Sequence, residues 1–299
     1  MTAPLPSRPP RRILLATDLS ARCDRALDRA TALATAWKAE LIAVHALEGS
    51  DEFYADELER RLPSWRRGPD AAALAERQLR QDMLHAGPDI EAVVERAEPA
   101  ELILRTARQR RCELIVTGLA RDETFGRFGL GATVDALLTR AQVPFLVVRR
   151  RAQAGYRNIL VATDFSGCSR AALQVAMGFF PDRRLSIFHA YAAPAPALAG
   201  DFAAPQEDYR KAAASECLGF LADAGIGEQN LSNFNLLMEN GRPSDLIHQY
   251  VRDRGVDLVV VGTHGRGALY DLFLGSTAKD ILATMPCDVL VVREPGAAA

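Results

Sequence analysis

The chain has 299 residues, of which 48% are hydrophobic and 25% are charged, and its formal net charge is −2. This length is sufficient for two domains with separate cores, and the small net charge gives no electrostatic reason to expect a nucleic acid or an anionic membrane as partner. The apolar runs have strand length and the Pro-rich start lacks an apolar signal core. We therefore expect no membrane span, a flexible tail over residues 1–12 and a cytoplasmic protein.

Strand-like and helix-like segments alternate through the first half. A helix is expected after the first strand, with Ser20 as its N-cap, and another should begin at Pro99. The apolar residues expected on one face of the first helix are Ala26, Leu27, Ala30, Leu33 and Ala34. Short apolar runs predict strands near 12–17, 41–46, 90–95, 113–117 and 143–148.

The connection after the second strand is the longest in each half, at about 48–88 and 192–233. The first copy is charge-rich and should contain a helix near 70–86 that ends at Gly87. Its charge runs fit a solvated face, and a lid or partner surface is the alternative. The second copy should contain a helix that ends at Gly225, with an apolar face formed by Ala214, Cys217, Leu218 and Leu221.

The second half repeats the first at a spacing of about 145 residues. The segment ILLATDLS at 13–20 returns as ILVATDFS at 159–166, and Pro99 returns as Pro243. Ser166 should cap a helix whose buried face is formed by Ala172, Val175, Ala176 and Phe179. A period this long indicates two whole domains in tandem, at 1–150 and 151–299, and excludes a solenoid. The alternation within each half predicts an α/β fold of two tandem doubly wound domains, each with a five-stranded, mainly parallel sheet.

The basic linker between the halves and the cysteines suggest no further ligand. The linker begins with Arg149, Arg150 and Arg151, but it lacks the interleaved aromatic residues typical of nucleic-acid binding. The five cysteines are odd in number and include no C-x-x-C pair, so neither disulfides nor structural zinc are expected. We expect each cysteine to be a small buried or half-buried side chain.

The stretch after the fourth strand of the second half has the most informative spacing. Gly262 and Gly265 are three residues apart, nine residues follow, and Gly275-Ser276-Thr277 opens a helix. Glycines allow a ligand to approach the backbone, N–H groups at a helix start lack intrahelical partners, and hydroxyl groups add donors. This combination suits a phosphate chain. Two tight turns around a helix cap would give the same pattern.

The spacing Gly-x2-Gly-x9-Gly-Ser resembles the nucleotide-binding signature of ATP-binding universal stress proteins, and the resemblance extends over essentially the whole chain. It implies adenine nucleotide alpha hydrolase-like domains with strand order 3-2-1-4-5. It also implies that the terminal strands, near 143–148 and 287–292, meet in an intramolecular pseudo-dimer, with further homodimerisation left open. Uncovered apolar edge strands favour such pairing.

The resemblance also implies ATP, with or without Mg²⁺, as the ligand of the second domain. Carried over to this sequence, the signature assigns the nucleoside contacts to Asp164 and Ala190. It assigns the phosphate contacts to Gly262, Gly265, Gly275, Ser276 and Thr277. Asp164 would alternatively cap the turn before Ser166. His189, at a strand end, fits a hydrogen-bonded core histidine better than a ligand contact, whereas His264 fits a phosphate contact and a turn position equally well.

The first domain departs from the signature. Arg121 replaces the second glycine, Ala132 replaces the serine, and Ala97 replaces the turn glycine at 241, whereas Asp18 and Ala46 are retained. An arginine side chain would stand where the backbone should approach phosphate, although a guanidinium group can also clamp an anion. We expect this domain to bind ATP weakly or not at all.

The sequence favours a binding protein over an enzyme. It contains no P-loop lysine pattern, metal-ligand cluster, nucleophile elbow or Cys/His pair at a telling spacing. We expect a nucleotide-responsive regulatory protein of the universal stress type, with an unidentified protein partner and at most slow ATP hydrolysis. The alternatives are a slow ATPase, a nucleotidyl- or phosphotransferase, and a purely structural partner protein.

Overall fold

The computed structural model describes residues 6–20, 23–47, 63, 71–83, 90–118, 130–152, 154–193, 206–263 and 275–294. Within these ranges, strands and helices alternate in both halves, as the sequence predicts. No helix in this part of the chain is long and apolar enough to cross a bilayer.

The first half contains all five predicted strands, each within two residues of its expected bounds. The helix that begins at Pro99 is confirmed, and the Glu98 side chain caps it by accepting from the N–H groups of Ala100 and Glu101. The elements are β1 (Arg12–Ala16), α1 (Asp24–Trp37), β2 (Glu40–Leu47), α2 (Ala71–Asp82), β3 (Ile90–Arg96), α3 (Pro99–Gln109), β4 (Leu114–Gly118), α4 (Ala132–Arg140) and β5 (Phe145–Val148).

The second half repeats this order and adds a short 3-10 helix, Glu228–Asn233. Ser166 caps its first helix as predicted, because its Oγ accepts from the N–H of Ser169 at 3.2 Å. The elements are β6 (Ile159–Ala162), α5 (Gly167–Phe179), β7 (Leu185–Tyr191), α6 (Gln206–Asp223), β8 (Phe234–Asn240), α7 (Pro243–Arg254), β9 (Leu258–Gly262), α8 (Ser276–Thr284) and β10 (Asp288–Val292).

The ten strands form one continuous sheet in the order β3-β2-β1-β4-β5-β10-β9-β6-β7-β8. Each half therefore has the strand order 3-2-1-4-5, and all strands within a half are parallel. The halves join through β5 and β10, which pair antiparallel with Val147 opposite Val289 and Leu146 opposite Leu290. The predicted meeting of the terminal strands is confirmed.

Helices cover both faces of the sheet, and alternate residues of the strands pack against them. Ile13 and Leu15 of β1 belong to the core beneath α1, α2, α5 and α6, whereas Leu14 belongs to the core beneath α3, α4, α7 and α8. Each core contains buried residues from both halves of the chain. The apolar runs of inner strands such as β1 and β9 are therefore strands buried on both faces, whereas β3, at the edge of the sheet, is half-buried or exposed along its length.

A buried ionic cluster fixes the junction between the halves. Asp288, fully buried at the start of β10, accepts from Arg29 Nε at 3.2 Å and from the Tyr156 hydroxyl at 2.6 Å. It also accepts from the main-chain N–H groups of Arg149 and Arg150, at 2.8 and 3.0 Å. Burial and the neighbouring carboxylate raise the pKa of Tyr156 well above its usual value, so this hydroxyl remains a donor.

The cluster occurs on only one side of the pseudo-twofold relation between the halves. At a spacing of about 145 residues, the repeat places Val175 opposite Arg29 and Pro144 opposite Asp288, so an apolar pair occupies the equivalent position. By contrast, one arginine follows the last strand of each half, and each of these two arginines contacts the other half in the same way. Arg149 donates to Leu282 O and Arg293 to Thr139 O, each in the last helix of the other half. Cations are stabilised at this end of a helix.

Ser20 does not cap α1, contrary to the sequence prediction. The helix begins at Asp24 with Cys23 at its N-cap position and no side-chain cap bond. Both the N–H and the hydroxyl of Ser20 donate to Asp18 Oδ1, at 2.9 and 2.6 Å. The serine therefore closes the turn before the helix instead of capping the helix itself.

The predicted apolar face of α6 is confirmed at Cys217 and Leu221, which are fully buried, and is wrong at Leu218. Leu218 is 45% exposed, whereas Phe220 is buried and packs on Phe165, with ring centroids 5.5 Å apart. The larger aromatic surface determines the rotation of the helix, because burying it removes more apolar area from water. Helix α2 matches the prediction near 70–86 in position but ends at Asp82, and Gly87 lies outside the described residues.

The expected flexible tail is also wrong for residues 6–11. Pro10 is buried, and Glu113 accepts from Arg8 Nη2 at 2.8 Å and from the N–H of Arg11 at 2.5 Å. A Cβ on Gly178 would lie 2.5 Å from Pro6 O, so the glycine lets this segment of the first half cross α5 of the second. A Pro-rich composition did not reveal these tertiary contacts.

Candidate functional site

A strained turn follows β6 and places Asp164 at the carboxyl end of the sheet. Phe165 has a left-handed φ of 63°, its N–H donates to Thr163 Oγ1 at 2.9 Å, and the N–H of Ser166 donates to Asp164 Oδ1 at 3.1 Å. The left-handed conformation is costly for a bulky residue and tends to occur at functional sites. The turn role considered for Asp164 is therefore present, and it fixes the position of the carboxylate.

His189 supports this turn from the neighbouring strand. Its Nδ1 lies 2.9 Å from Thr163 O, and its ring stacks on Phe165 with centroids 4.1 Å apart. A carbonyl can only accept, so Nδ1 carries the proton. His189 has the structural role that the sequence favoured.

A cavity of about 490 Å³ lies between this turn, the end of β9 and the start of α8. Six of the seven predicted site residues line it: Asp164, Ala190, Gly262, Gly275, Ser276 and Thr277. The seventh, Gly265, lies outside the described residues, as does His264.

The two ends of the cavity differ in chemistry. Apolar side chains that include Phe188 of β7 and Ile247 of α7 line it on the side of β7, the strand that also carries Ala190. Near α8, the N–H of Gly275 donates to Thr263 O at 2.9 Å, and among the described residues no side chain caps the helix. The first N–H groups of a helix lack intrahelical acceptors and carry a partial positive charge, so this end of the cavity suits an anion.

The packing of β9 against α5 requires a glycine at position 262, whether or not a ligand is bound. A Cβ there would lie 2.8 Å from both C and O of Cys168, in the first turn of α5. The sequence interpretation attributed this glycine to close approach by a ligand, but contact between β9 and α5 is a sufficient reason for it. Gly262 still lines the cavity through its backbone.

The first half contains an equivalent crevice of about 630 Å³, lined by Asp18, Ala46, Ala132 and Thr133 among others. Its turn repeats the strain, since Leu19 has a φ of 57°. The start of its last helix differs in backbone as well as sequence, because Gly131 has a φ of 81° whereas Gly275 has −56°. Arg121 lies outside the described residues.

Within the described part of the chain, His, Cys, Asp and Glu side chains form no group of three or more that could hold a metal ion. Four cysteines are buried, Cys23 is half-buried, and all five are free thiols, as expected. Burial raises the pKa of Cys23, which lines the first crevice, to about 11.

Comparison with known proteins gives the family. The model of the universal stress protein family matches residues 10–149 and, a second time, residues 155–293. The chain belongs to the universal stress protein family. Each half of this tandem universal stress protein thus matches the family model separately.

Individual relatives agree with this assignment. A universal stress protein of Thermus aquaticus, encoded in a QAH/OAS sulfhydrylase 3' region, is 34% identical over 140 residues, which are 46% of this chain and 99% of that protein. A universal stress protein structure from Archaeoglobus fulgidus has a TM-score of 0.66 at 20% identity and covers 95% of this chain and 98% of its own. A structure described as a putative universal stress protein, from Pseudomonas aeruginosa, has a TM-score of 0.65 at 20% identity and covers 96% and 94%. These two likenesses show the tandem fold.

Sequence analysis missed three polar residues that line the cavity: Thr163, Ser169 and Thr263. Thr163 had a usable signal, because the Thr-Asp-x-Ser segment occurs in both halves. Ser169 gave no signal, since its repeat partner is Cys23. Its Oγ accepts from Thr163 Oγ1 at 2.9 Å, a contact that only the packed structure reveals.

Proposed function

We propose that this universal stress protein binds ATP, with or without Mg²⁺, in the second-half cavity and acts as a nucleotide-responsive regulatory protein in stress response. The observation that carries the proposal is one cavity with an apolar end, a carboxylate and an uncapped helix start. Its volume of about 490 Å³ lies within the usual range for small-molecule sites.

The nucleoside would occupy the apolar end. Phe188 and Ile247 provide surface for an aromatic base, and the backbone at Ala190 offers polar groups at its edge. The Asp164 carboxylate, fixed by its turn, would accept hydrogen bonds from ribose hydroxyls. These contacts would orient the ligand with its phosphates toward α8.

The phosphates would lie at the start of α8. Main-chain N–H groups near Gly275 and the hydroxyls of Ser276 and Thr277 supply donors there, and the helix dipole favours negative charge. Gly265 would allow the loop to approach the phosphate chain. The left-handed φ of Gly131 and the loss of one hydroxyl at Ala132 support weaker binding in the first half.

We further propose that residues 1–150 and 151–299 act as the two domains, that the protein is cytoplasmic, and that an unidentified protein partner responds to nucleotide occupancy. A binding role is favoured over turnover because the described cavity lining offers donors for a nucleotide but no histidine or lysine as an acid–base group.

Isothermal titration with ATP tests the site directly. At about 0.15 M salt, where contacts to exposed arginines are screened, we expect a stoichiometry near one per chain. Gly265→Arg copies the first-half loop into the second and should abolish that binding by steric conflict. Arg121→Gly is the matched control and should leave the second site intact. Two equivalent sites in the unmodified chain, or undiminished binding in Gly265→Arg, would contradict the proposal.

A further inference from the structure

A second, strongly basic cavity of about 990 Å³ lies beside the linker between the halves. Its walls are the first turns of α1, the chain after β5 and the segments that precede β6 and β9. Six arginines and three aspartates line it, an excess of three positive charges on a chain whose net charge is −2. The arginines are Arg25, Arg29, Arg149, Arg150, Arg151 and Arg157.

Three of these arginines hold the walls in place. Arg29 pairs with the buried Asp288, which offsets one positive charge. Arg151 pairs with Asp28 at 2.9 Å, and Arg149 donates to Leu282 O in the last turn of α8. These contacts join both halves around the cavity and give it a fixed shape.

The positive charges of the other three arginines are not offset by a salt bridge among the described residues. Arg25 Nη1 donates to Arg149 O at 2.9 Å, and Arg150 Nε donates to Pro286 O at 2.7 Å. A bond to a neutral carbonyl orients a guanidinium group and leaves its other N–H donors available. Arg157 is exposed, and its main-chain N–H is fixed by Asp257 Oδ2 at 2.9 Å. Among the described residues, no salt bridge to a carboxylate is found for these three guanidinium groups.

We propose that this cavity binds a short polyphosphate anion, such as pyrophosphate or tripolyphosphate. Guanidinium groups bind phosphate oxygens through paired N–H donors, and three of them on separate segments match an anion with several phosphates. No aromatic or large aliphatic residue is among the described lining residues, whose only small apolar members are Ala154 and Gly155. The cavity thus lacks a surface for a nucleobase, which favours phosphate alone.

The site is distinct from the proposed ATP cavity. Arg157 and Asp257 precede β6 and β9, whereas Asp164 and Gly262 lie at or beyond the carboxyl ends of the same strands. Five residues of β9 separate the two ends, roughly 16 Å at the rise of a strand. Binding at one cavity therefore leaves the other accessible.

Titration of the full chain with tripolyphosphate at about 20 mM salt tests the proposal, with circular dichroism to verify the fold of each variant. We expect one site, with affinity roughly tenfold lower in each of Arg25→Gln, Arg150→Gln and Arg157→Gln, because each variant removes a charged donor. Arg77→Gln is the matched control, since Arg77 is exposed on α2 at the outer edge of the sheet, and its affinity should equal that of the unmodified chain. Binding should also weaken at about 0.3 M salt.

Gly265→Arg separates this site from the ATP site, because it should lose ATP but retain tripolyphosphate. Several results would overturn the proposal: no tripolyphosphate binding, unchanged affinity in a variant that combines Arg25→Gln, Arg150→Gln and Arg157→Gln, or a loss in Arg77→Gln as large as in the single cavity variants. Binding of a hexaglutamate peptide without binding of tripolyphosphate would also overturn it and would indicate a docking site for an acidic protein segment.

Discussion

Replacing Asp288 with asparagine should destabilise the whole chain, although the side chain keeps its shape. The carboxylate is fully buried and accepts from four donors on both sides of the junction. In Asp288→Asn, one oxygen becomes an NH₂ group that faces donors, and Arg29 is left as a buried charge without its counter-ion. Removing one partner of a buried pair costs about 3–5 kcal/mol. We expect a loss of that size in the free energy of unfolding.

Equilibrium urea unfolding followed by tryptophan fluorescence measures this loss. Trp37 is a suitable probe because it packs on Phe179 and Phe180, with centroids 5.5 and 5.7 Å away, across the same junction. Asp280→Asn is the control, since its pair with Arg242 is at the surface and should contribute less than about 1 kcal/mol.

A double variant tests the reasoning more sharply. Arg29→Met with Asp288→Asn should be less destabilised than Asp288→Asn alone, because the double variant no longer leaves the Arg29 guanidinium as a buried charge without its counter-ion, while the remaining side-chain oxygen of asparagine can still accept from the other donors. Stability of Asp288→Asn within about 1 kcal/mol of the unmodified chain would refute the argument that this cluster locks the halves together.

Four other predictions can be checked separately. Ser276→Ala should weaken ATP binding by up to roughly tenfold in a titration, because one hydroxyl donor is lost, and unchanged affinity would remove Ser276 from the site. ATP turnover should be slower than about one per second in a phosphate-release assay. Faster turnover that collapses in His264→Ala while binding persists would indicate an enzyme. Halves separated near Gly155 should associate in size-exclusion chromatography because β5 and β10 expose apolar edges when apart, and stable monomeric halves would contradict this. Burial raises the pKa of Cys217 from 9.0 to about 11, so the folded state holds this proton more tightly than the unfolded chain does. Stability should be fully present below about pH 9 and decline as the pH rises to about 11, and Cys217→Ala should flatten that decline in urea unfolding.

The alternation of strands and helices could be anticipated from the sequence because it depends on local patterns, whereas the strand order and the six predicted residues that line the cavity were implied by the resemblance to universal stress proteins. An apolar run such as β1 is recognisable by itself, and its copy in β6 confirms it. The glycine and hydroxyl residues at the start of α8 carry a spacing signal, and the aspartate turn occurs twice. Residues 264–274, where the rest of the signature lies, are outside the described part of the chain.

Other features depend on contacts that no local pattern encodes. Arg29 and Asp288 are 259 residues apart, and their repeat partners are apolar, so repetition itself conceals the pair. Phe165 adopts a left-handed conformation that bulky residues usually avoid, and it is held there by a threonine hydroxyl. On α6, the spacing alone did not show that Phe220 is buried and Leu218 exposed, because this depends on the packing of Phe220 on Phe165.

The antiparallel junction sets where the two crevices open. β5 and β10 run in opposite directions, but five strand steps separate β1 from β6, and a twist of about 20–25° per step rotates these strands by roughly 100–125°. The two crevices therefore open in different directions, at the carboxyl ends of β1 and β4 in the first half and of β6 and β9 in the second. The arginine-lined cavity lies on the side of the first-half crevice, because β5 ends there while β6 and β9 begin there. A partner that docks on that side would contact the arginine-lined cavity and leave the second-half cavity, at the other ends of β6 and β9, accessible to a different partner.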